Sequence, residues 1–143
     1  MIENLFIGLL ISCLFIETTG IYPGGIIIPA YLALYLDQPL RIVGTLAVSL
    51  VCFGLYKILS GYTILFGRRR FIILILLGSL LTLLWNNTVR TDLIRGFYGL
   101  HTIGLMIPGI IANTFERQGI MLSVFSIIIA STVTYFIVKL LFI

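Results

Sequence analysis

The sequence predicts an all-α integral membrane fold, a polytopic helix bundle of four to six spans, and three observations predict it. Of 143 residues, 60% are hydrophobic and 10% charged, with mean hydropathy +1.20. A soluble domain carries about 25% charged residues, so water is a poor solvent for this chain and a bilayer a good one. The apolar residues also gather into six runs separated by charges and Gly/Pro clusters: 5–16, 21–36, 42–66, 71–85, 97–115 and 120–143. Finally, a spanning helix needs about 20 apolar residues, and the third and sixth runs clear that length. One membrane domain, 1–143, accounts for the whole chain and leaves no room for a separate soluble catalytic domain.

Taken in order, the first run lacks a basic leader and a small-x-small cleavage site, so it reads as a retained span rather than a removed signal. The second run carries Pro29 among glycines and the fifth carries Pro108. A proline inside a helix removes a backbone donor and clashes with the preceding turn, so neither run reads as one clean helix. The fourth run is short and borrows neutral neighbours. Cys13 and Cys52 both lie in apolar runs with no ligand spacing around them, and read as packing residues.

Nine Lys and Arg against five Asp and Glu give a net charge of +4. On a membrane protein that excess first sets topology, because cytoplasmic loops collect Lys and Arg. Arg68, Arg69 and Arg70 together form the strongest orientation mark and place their loop in the cytoplasm. With six spans Arg117 joins them, and Arg41, Arg90, Arg95 and Lys139 fall outside. With four spans Lys139 joins them instead, and the charges divide equally, so the span count stays open.

The second and fifth runs resemble each other. Gly25-Ile-Ile-Ile-Pro29-Ala30 reads against Gly104-Leu-Met-Ile-Pro108-Gly109 at an offset of 79, which also pairs Tyr56 with Tyr135. An internal duplication with halves 1–67 and 68–143 is expected. An odd number of crossings per half makes the repeats inverted, an even number parallel. Paired Gly/Pro-interrupted segments in membrane proteins point to a functional site. The segments are marked by Gly20, Pro23, Gly24, Gly25 and Pro29 in one half, and by Gly104, Pro108, Gly109 and Asn113 in the other. The alternative is that both are kinks that help helices pack.

The candidate polymer-path or partner residues are Glu17, Thr19, Arg68, Arg69, Arg70, Arg95, His101 and Arg117. Ionisable residues near the membrane interior mark functional paths, and Glu17 with Arg95 is the expected acid–base pair across the halves. Glu17 wetted by headgroups is the plainer alternative, as is a hydrogen-bonding role for His101. Lys57 is expected to reach towards the Arg68 side. No Walker loop, nucleophile elbow, paired catalytic carboxylates or HExxH helix occurs in the sequence. No catalytic residue, metal or cofactor is expected, and net charge alone supports no nucleic-acid binding.

Three stretches together resemble one family. The first runs from Glu17-Thr-Thr-Gly-Ile-Tyr-Pro-Gly-Gly25 through Pro29-Ala-Tyr-Leu-Ala-Leu34 to Gln38-Pro39. The second is Phe66-Gly-Arg-Arg-Arg-Phe71. The third is Arg95-Gly-Phe-Tyr-Gly99 leading to Ile107-Pro-Gly-Ile-Ile-Ala-Asn113 and Arg117-Gln-Gly119. They are similar to the CapC/PgsC family, membrane subunits of bacterial poly-γ-glutamate capsule synthase complexes. Ala30 departs from the Pro-Gly pattern that Pro108 and Gly109 keep. The resemblance implies a multi-pass protein of the bacterial cell (inner) membrane. It implies an accessory subunit that supports polymerisation by a separate ATP-dependent amide ligase (CapB/PgsB-like, related to the Mur ligases), with polymer export. Further implied partners are a membrane-anchored extracytoplasmic subunit (CapA/PgsA-like), lipid and anionic polyglutamate. Arginine suits such a polymer because its fork binds carboxylates bidentately. A small independent transporter and a purely structural ligase anchor are the rival readings.

Overall fold

The computed structural model describes residues 2–64, 67–90 and 101–142. These form six helices, and the described residues contain no strand. Four are long and apolar enough to cross a membrane: α1 (Ile2–Thr19), α3 (Pro39–Ser60), α4 (Arg68–Arg90) and α6 (Ile120–Leu141). At 18 to 23 residues they measure about 27 to 35 Å by helical rise, against a hydrocarbon core of about 30 Å. Two are short: α2 (Ile27–Leu34) and α5 (Ile107–Gln118).

The short helices show where the proline argument must be corrected. Pro29 and Pro108 do not interrupt helices; they stand in the first turn of α2 and α5. First-turn N–H groups have no intrahelical acceptor, so a proline there loses no bond and presets the backbone. The irregular backbone lies before them instead. Gly25 and Gly104, paired by the 79-residue offset, have φ of 104° and 67°, a left-handed region that residues with a Cβ avoid.

Hydroxyls inside the bundle satisfy themselves along their own helices. Ser12, Thr45, Ser49, Thr82, Ser126 and Thr134 each donate to the carbonyl one turn earlier, as in Thr82 to Gly78 at 2.7 Å. In a dry medium that removes the cost of burying a free hydroxyl. The apolar core joins Ile28 and Leu32 of α2, Cys52, Phe53 and Tyr56 of α3, Leu74 of α4, Ile107, Ile111 and Phe115 of α5, and Ile127 of α6. Cys52 packs inside it, with Sγ 3.6 Å from the Leu74 carbonyl, while Cys13 is exposed.

Close contacts fix the direction of each segment. Gly8 of α1 meets Ala30 of α2, and a Cβ on Gly8 would stand 2.5 Å from the Ala30 Cβ. Asn4 at the start of α1 shares a cavity with Leu34 and Asp37 at the end of α2, so α1 and α2 are antiparallel. Gly109 of α5 lies against Leu74, Ile75 and Gly78 of α4. Asn113 and Arg117, further along α5, face Arg68 and Arg70, so α4 and α5 are antiparallel too. The end of α3 meets Glu116, and the end of α6 meets Asp37. The chain therefore reverses at every connection and passes between the two ends of the bundle six times. Four passes are long helices, and two are an irregular lead-in followed by a short helix.

Helices α1 to α3 and α4 to α6 make three passes each, so the second set runs in the opposite sense to the first. Each short helix packs against the first helix of its own half and the last helix of the other: α2 on α1 and α6, α5 on α4 and α3. The offset of 79 maps Ala30 to Gly109, Asp37 to Glu116 and Tyr56 to Tyr135. The first helices match at an offset of 70, Gly8 with Gly78 and Ser12 with Thr82.

Candidate functional site

Five cations gather at one end of the bundle. Lys57 is in the last turn of α3, Arg68, Arg69 and Arg70 open α4, and Arg117 is in the last turn of α5. Arg117 thus shares an end with the triplet while Lys139, near the end of α6, lies at the other, which is the division the six-span scheme requires. Lys57 sits at the arginine end as expected, its Nζ 5.1 Å from the Phe53 ring centre. Three arginines at a helix start oppose the helix dipole, at about 0.3–1 kcal/mol each when exposed. The free N–H groups of that turn add to the same positive field.

Within this end the three arginines are not equivalent. Arg68 and Arg70 line a cavity of about 660 Å³ with Gly67, Phe71, Ile72, Asn113 and Arg117. Arg69 is exposed. Arg70 is half-buried, and its Nε is buried with no hydrogen-bond partner; the Asn113 Oδ1 is in the same state. On its other side Arg70 borders a cavity of about 390 Å³ with Tyr56, Ser60 and Glu116.

The lead-in to α2 is tied to this end from the other half. Gln118 brackets the Tyr22 backbone: the Tyr22 N–H donates to Oε1 at 3.1 Å, and Nε2 donates to the Tyr22 carbonyl at 2.7 Å. The Arg117 guanidinium lies 5.6 Å from the Tyr22 ring centre. Thr19 closes α1, its hydroxyl donating to the Phe15 carbonyl and accepting from the Ile21 N–H. Glu17 is exposed in the same final turn. Gly20 turns the chain with φ 69°, Pro23 is fully buried, Gly24 faces Ile28 and Ile127, and Gly25 faces Ile110.

The opposite end is built from different chemistry. Tyr135 donates to the Asp37 carboxylate at 3.1 Å beside Lys139, and the cavity there measures about 230 Å³. The lead-in to α5 is held by Asn86, whose Oδ1 accepts from the Thr102 N–H at 3.2 Å, and by Thr45, whose hydroxyl accepts from the Ile103 N–H at 2.9 Å. His101 lines a cavity with Asn86 and Arg90. Arg95 lies outside the described residues, so its expected pairing with Glu17 has no geometry to report. Among the described residues no three His, Cys, Asp or Glu side chains group to hold a metal ion.

The two irregular segments approach the same interior, where Ile28, Ile103, Ile107 and Ile111 pack together beside the buried Thr45 hydroxyl. Among the described residues the charged groups sit at the two ends. Sequence reading missed Gln118, Asp37 and Glu116. For the two acids the signal was present, since the offset that pairs Tyr56 with Tyr135 also pairs Asp37 with Glu116.

The comparisons point one way. A family model described as "Capsule biosynthesis CapC" matches residues 7–124. The "PGA biosynthesis protein CapC" of Bacillus subtilis (strain 168) is 37% identical over 134 residues, 92% of this chain and 88% of its own length. The "Capsule biosynthesis protein CapC" of Bacillus anthracis has the same identity and coverage. No solved structure matches the chain. With the family model matching residues 7–124 and most of both sequences aligned with each relative, this chain belongs to the capsule biosynthesis CapC family.

Proposed function

We propose that the chain is the multi-pass cell-membrane subunit of a poly-γ-glutamate capsule synthase complex. It supports a separate cytoplasmic ATP-dependent amide ligase, acts beside a membrane-anchored extracytoplasmic subunit, and takes part in moving the polymer outwards. A role in capsule biosynthesis follows from the family. The single observation that carries the finer reading is the match over 92% of this chain and 88% of a relative named for PGA biosynthesis. The geometry agrees with it. A poly-γ-glutamate chain has about one carboxylate per residue, and guanidinium groups are the side chains best shaped to hold carboxylates. The arginine end is then cytoplasmic by the orientation rule, where an acidic product would be made.

The opposed run of the two halves, with equivalent residues in equivalent packing, supports an origin by internal duplication. It also favours a second reading, a small transporter built on inverted repeats. The experiment is deletion and complementation in the native host, with cell-bound and released polyglutamate measured and the tagged chain purified in mild detergent. Loss of polymer together with co-purifying ligase is expected. Normal polymer without the chain would overturn the reading. Movement of glutamate oligomers by the chain alone in liposomes would favour the transporter.

A further inference from the structure

We propose that the cavity between Arg70 and Asn113 is a binding seat for a carboxylate flanked by an amide N–H, as an acidic peptide-like chain presents it. The inference deepens the proposed function and rests on it for the source of the ligand, not for the chemistry of the seat.

Three guanidinium groups converge on one cavity from two helices, Arg68 and Arg70 from α4 and Arg117 from α5. The first turn of α4 contains no acidic residue, and Glu116 borders Arg70 from the other cavity. Arg117 is turned towards Tyr22 and Arg68 is exposed. Arg70 is different: its Nε is removed from solvent and bonded to nothing. A buried unpaired donor is costly, more so when charged, unless a ligand supplies the acceptor. Beside it Asn113 holds a buried Oδ1 with no donor. A bare oxyanion would satisfy the first vacancy and not the second. A carboxylate next to an amide N–H satisfies both once a turn of the two half-buried side chains opens these enclosed atoms to the cavity. The cavity volume, about 660 Å³, is within the range of about 300–1,000 Å³ for small-ligand sites and more than one headgroup phosphate fills. Among the described residues the opposite end shows no such arrangement: its Asp37 carboxylate already accepts from Tyr135.

The test uses the purified full chain in nanodiscs of neutral lipid, with a glutamate pentapeptide as probe and binding followed by thermophoresis. Arg70→Gln and Asn113→Asp should each weaken binding at least tenfold. Arg70→Lys, which keeps the charge and loses the fork, should weaken it nearly as much. Arg90→Gln removes one charge at the other end and should leave binding within twofold. Each variant must elute as the parent does in detergent, so that misfolding is not read as lost affinity. Equal affinity for Arg70→Gln and parent would overturn the seat. So would phosphatidylglycerol retained on the chain in native mass spectrometry, lost in Arg70→Gln, with no peptide binding, since the cavity is then a headgroup site. If the peptide fails to bind while deletion still abolishes the polymer, the seat alone falls and the capsule reading stands.

Discussion

The two halves of the bundle share a packing plan and differ in how the crossing segment is held. In the first half the lead-in to α2 is clasped by Gln118 at an exposed site. In the second, the lead-in to α5 is held by Thr45 at a buried site and by Asn86 at a half-buried one. The short helices differ as well: α2 has 8 residues and α5 has 12. Where α2 leans on α1, a glycine faces an alanine; where α5 leans on α4, a glycine faces a glycine. The comparison teaches that one topology carries a firm half and a looser one. The firmer crossing helix, α5, brings Asn113 and Arg117 to the arginine cavity.

The largest expected effect is all-or-none and tests the six-pass path itself. In a variant with Cys13 and Cys52 replaced by Ser and Ala, single cysteines at Gly67 and Gln118 should react from one face of the membrane. Cysteines at Asp37 and His101 should react from the other. The positive-inside rule puts the first pair in the cytoplasm. Opposite accessibility for Gly67 and Gln118 would reduce the path to four crossings and remove the inverted relation between the halves.

Next in size is the exchange of Gly109 and Ala30 for each other's residue. A Cβ on Gly109 would stand 2.6 Å from the Leu74 carbonyl oxygen and 2.8 Å from the Ile75 Cα, backbone that cannot swing away. Gly109→Ala should therefore cost about 1–3 kcal/mol, the usual penalty of overpacking. Ala30→Gly removes a methyl from the Gly8 contact and should cost about 1 kcal/mol through helix propensity. Detergent unfolding titrations measure both. Equal costs would mean that the two interfaces are equally tight and that the firm half is not firm.

Much of this was legible before the fold was known, and the reasons are local. Charge scarcity and run length identified α3 and α6, because a span is a composition as much as a shape. Gly25 and Gly104 marked the irregular lead-ins, because left-handed backbone favours glycine. The two runs are interrupted as expected, but at a boundary: Pro29 and Pro108 stand in the first turn of α2 and α5, and a proline's meaning reverses within one turn of a helix start. The arginine cavity was half legible. The triplet and Arg117 were visible as charge. That Arg70 turns inward while Arg69 stays exposed depends on the phase of α4 against α5, which the close Gly78 and Gly109 approach sets. The Gln118 clasp, across 96 residues, had no sequence signal.

A smaller effect separates the two clasps. Thr45→Val is nearly isosteric and leaves the buried Ile103 N–H without its acceptor, at a cost of about 1–3 kcal/mol. Gln118→Leu removes two bonds to Tyr22, but at an exposed site where water replaces them, at about 1 kcal/mol or less. The stability order should be parent, then Gln118→Leu, then Thr45→Val. Gln118→Leu should also make a cysteine at Tyr22 react faster, because the lead-in loses its tether. If Gln118→Leu proves the more damaging, the first half is the more tightly held and the comparison inverts.

The smallest effect concerns the acid–tyrosine pairs that the 79-residue offset places at opposite ends. Tyr135 donates to Asp37 at 3.1 Å in an exposed setting. Tyr56 is buried and shares its cavity with Glu116 and Arg70. Tyr135→Phe removes one solvent-accessible hydrogen bond and should cost about 0.5–1 kcal/mol, with the lower figure expected because water competes there. Polymer yield should not change. Tyr56→Phe keeps the packing ring and removes only the hydroxyl beside Arg70, so its stability should also stay close to the parent. If the arginine cavity handles the acidic chain, however, polymer yield should fall in Tyr56→Phe and hold in Tyr135→Phe. Measuring yield and unfolding midpoint on the same two variants separates function from folding. Equal yields would mean that the two ends differ in charge but not in task, and that Arg70 acts without help from the cavity behind it.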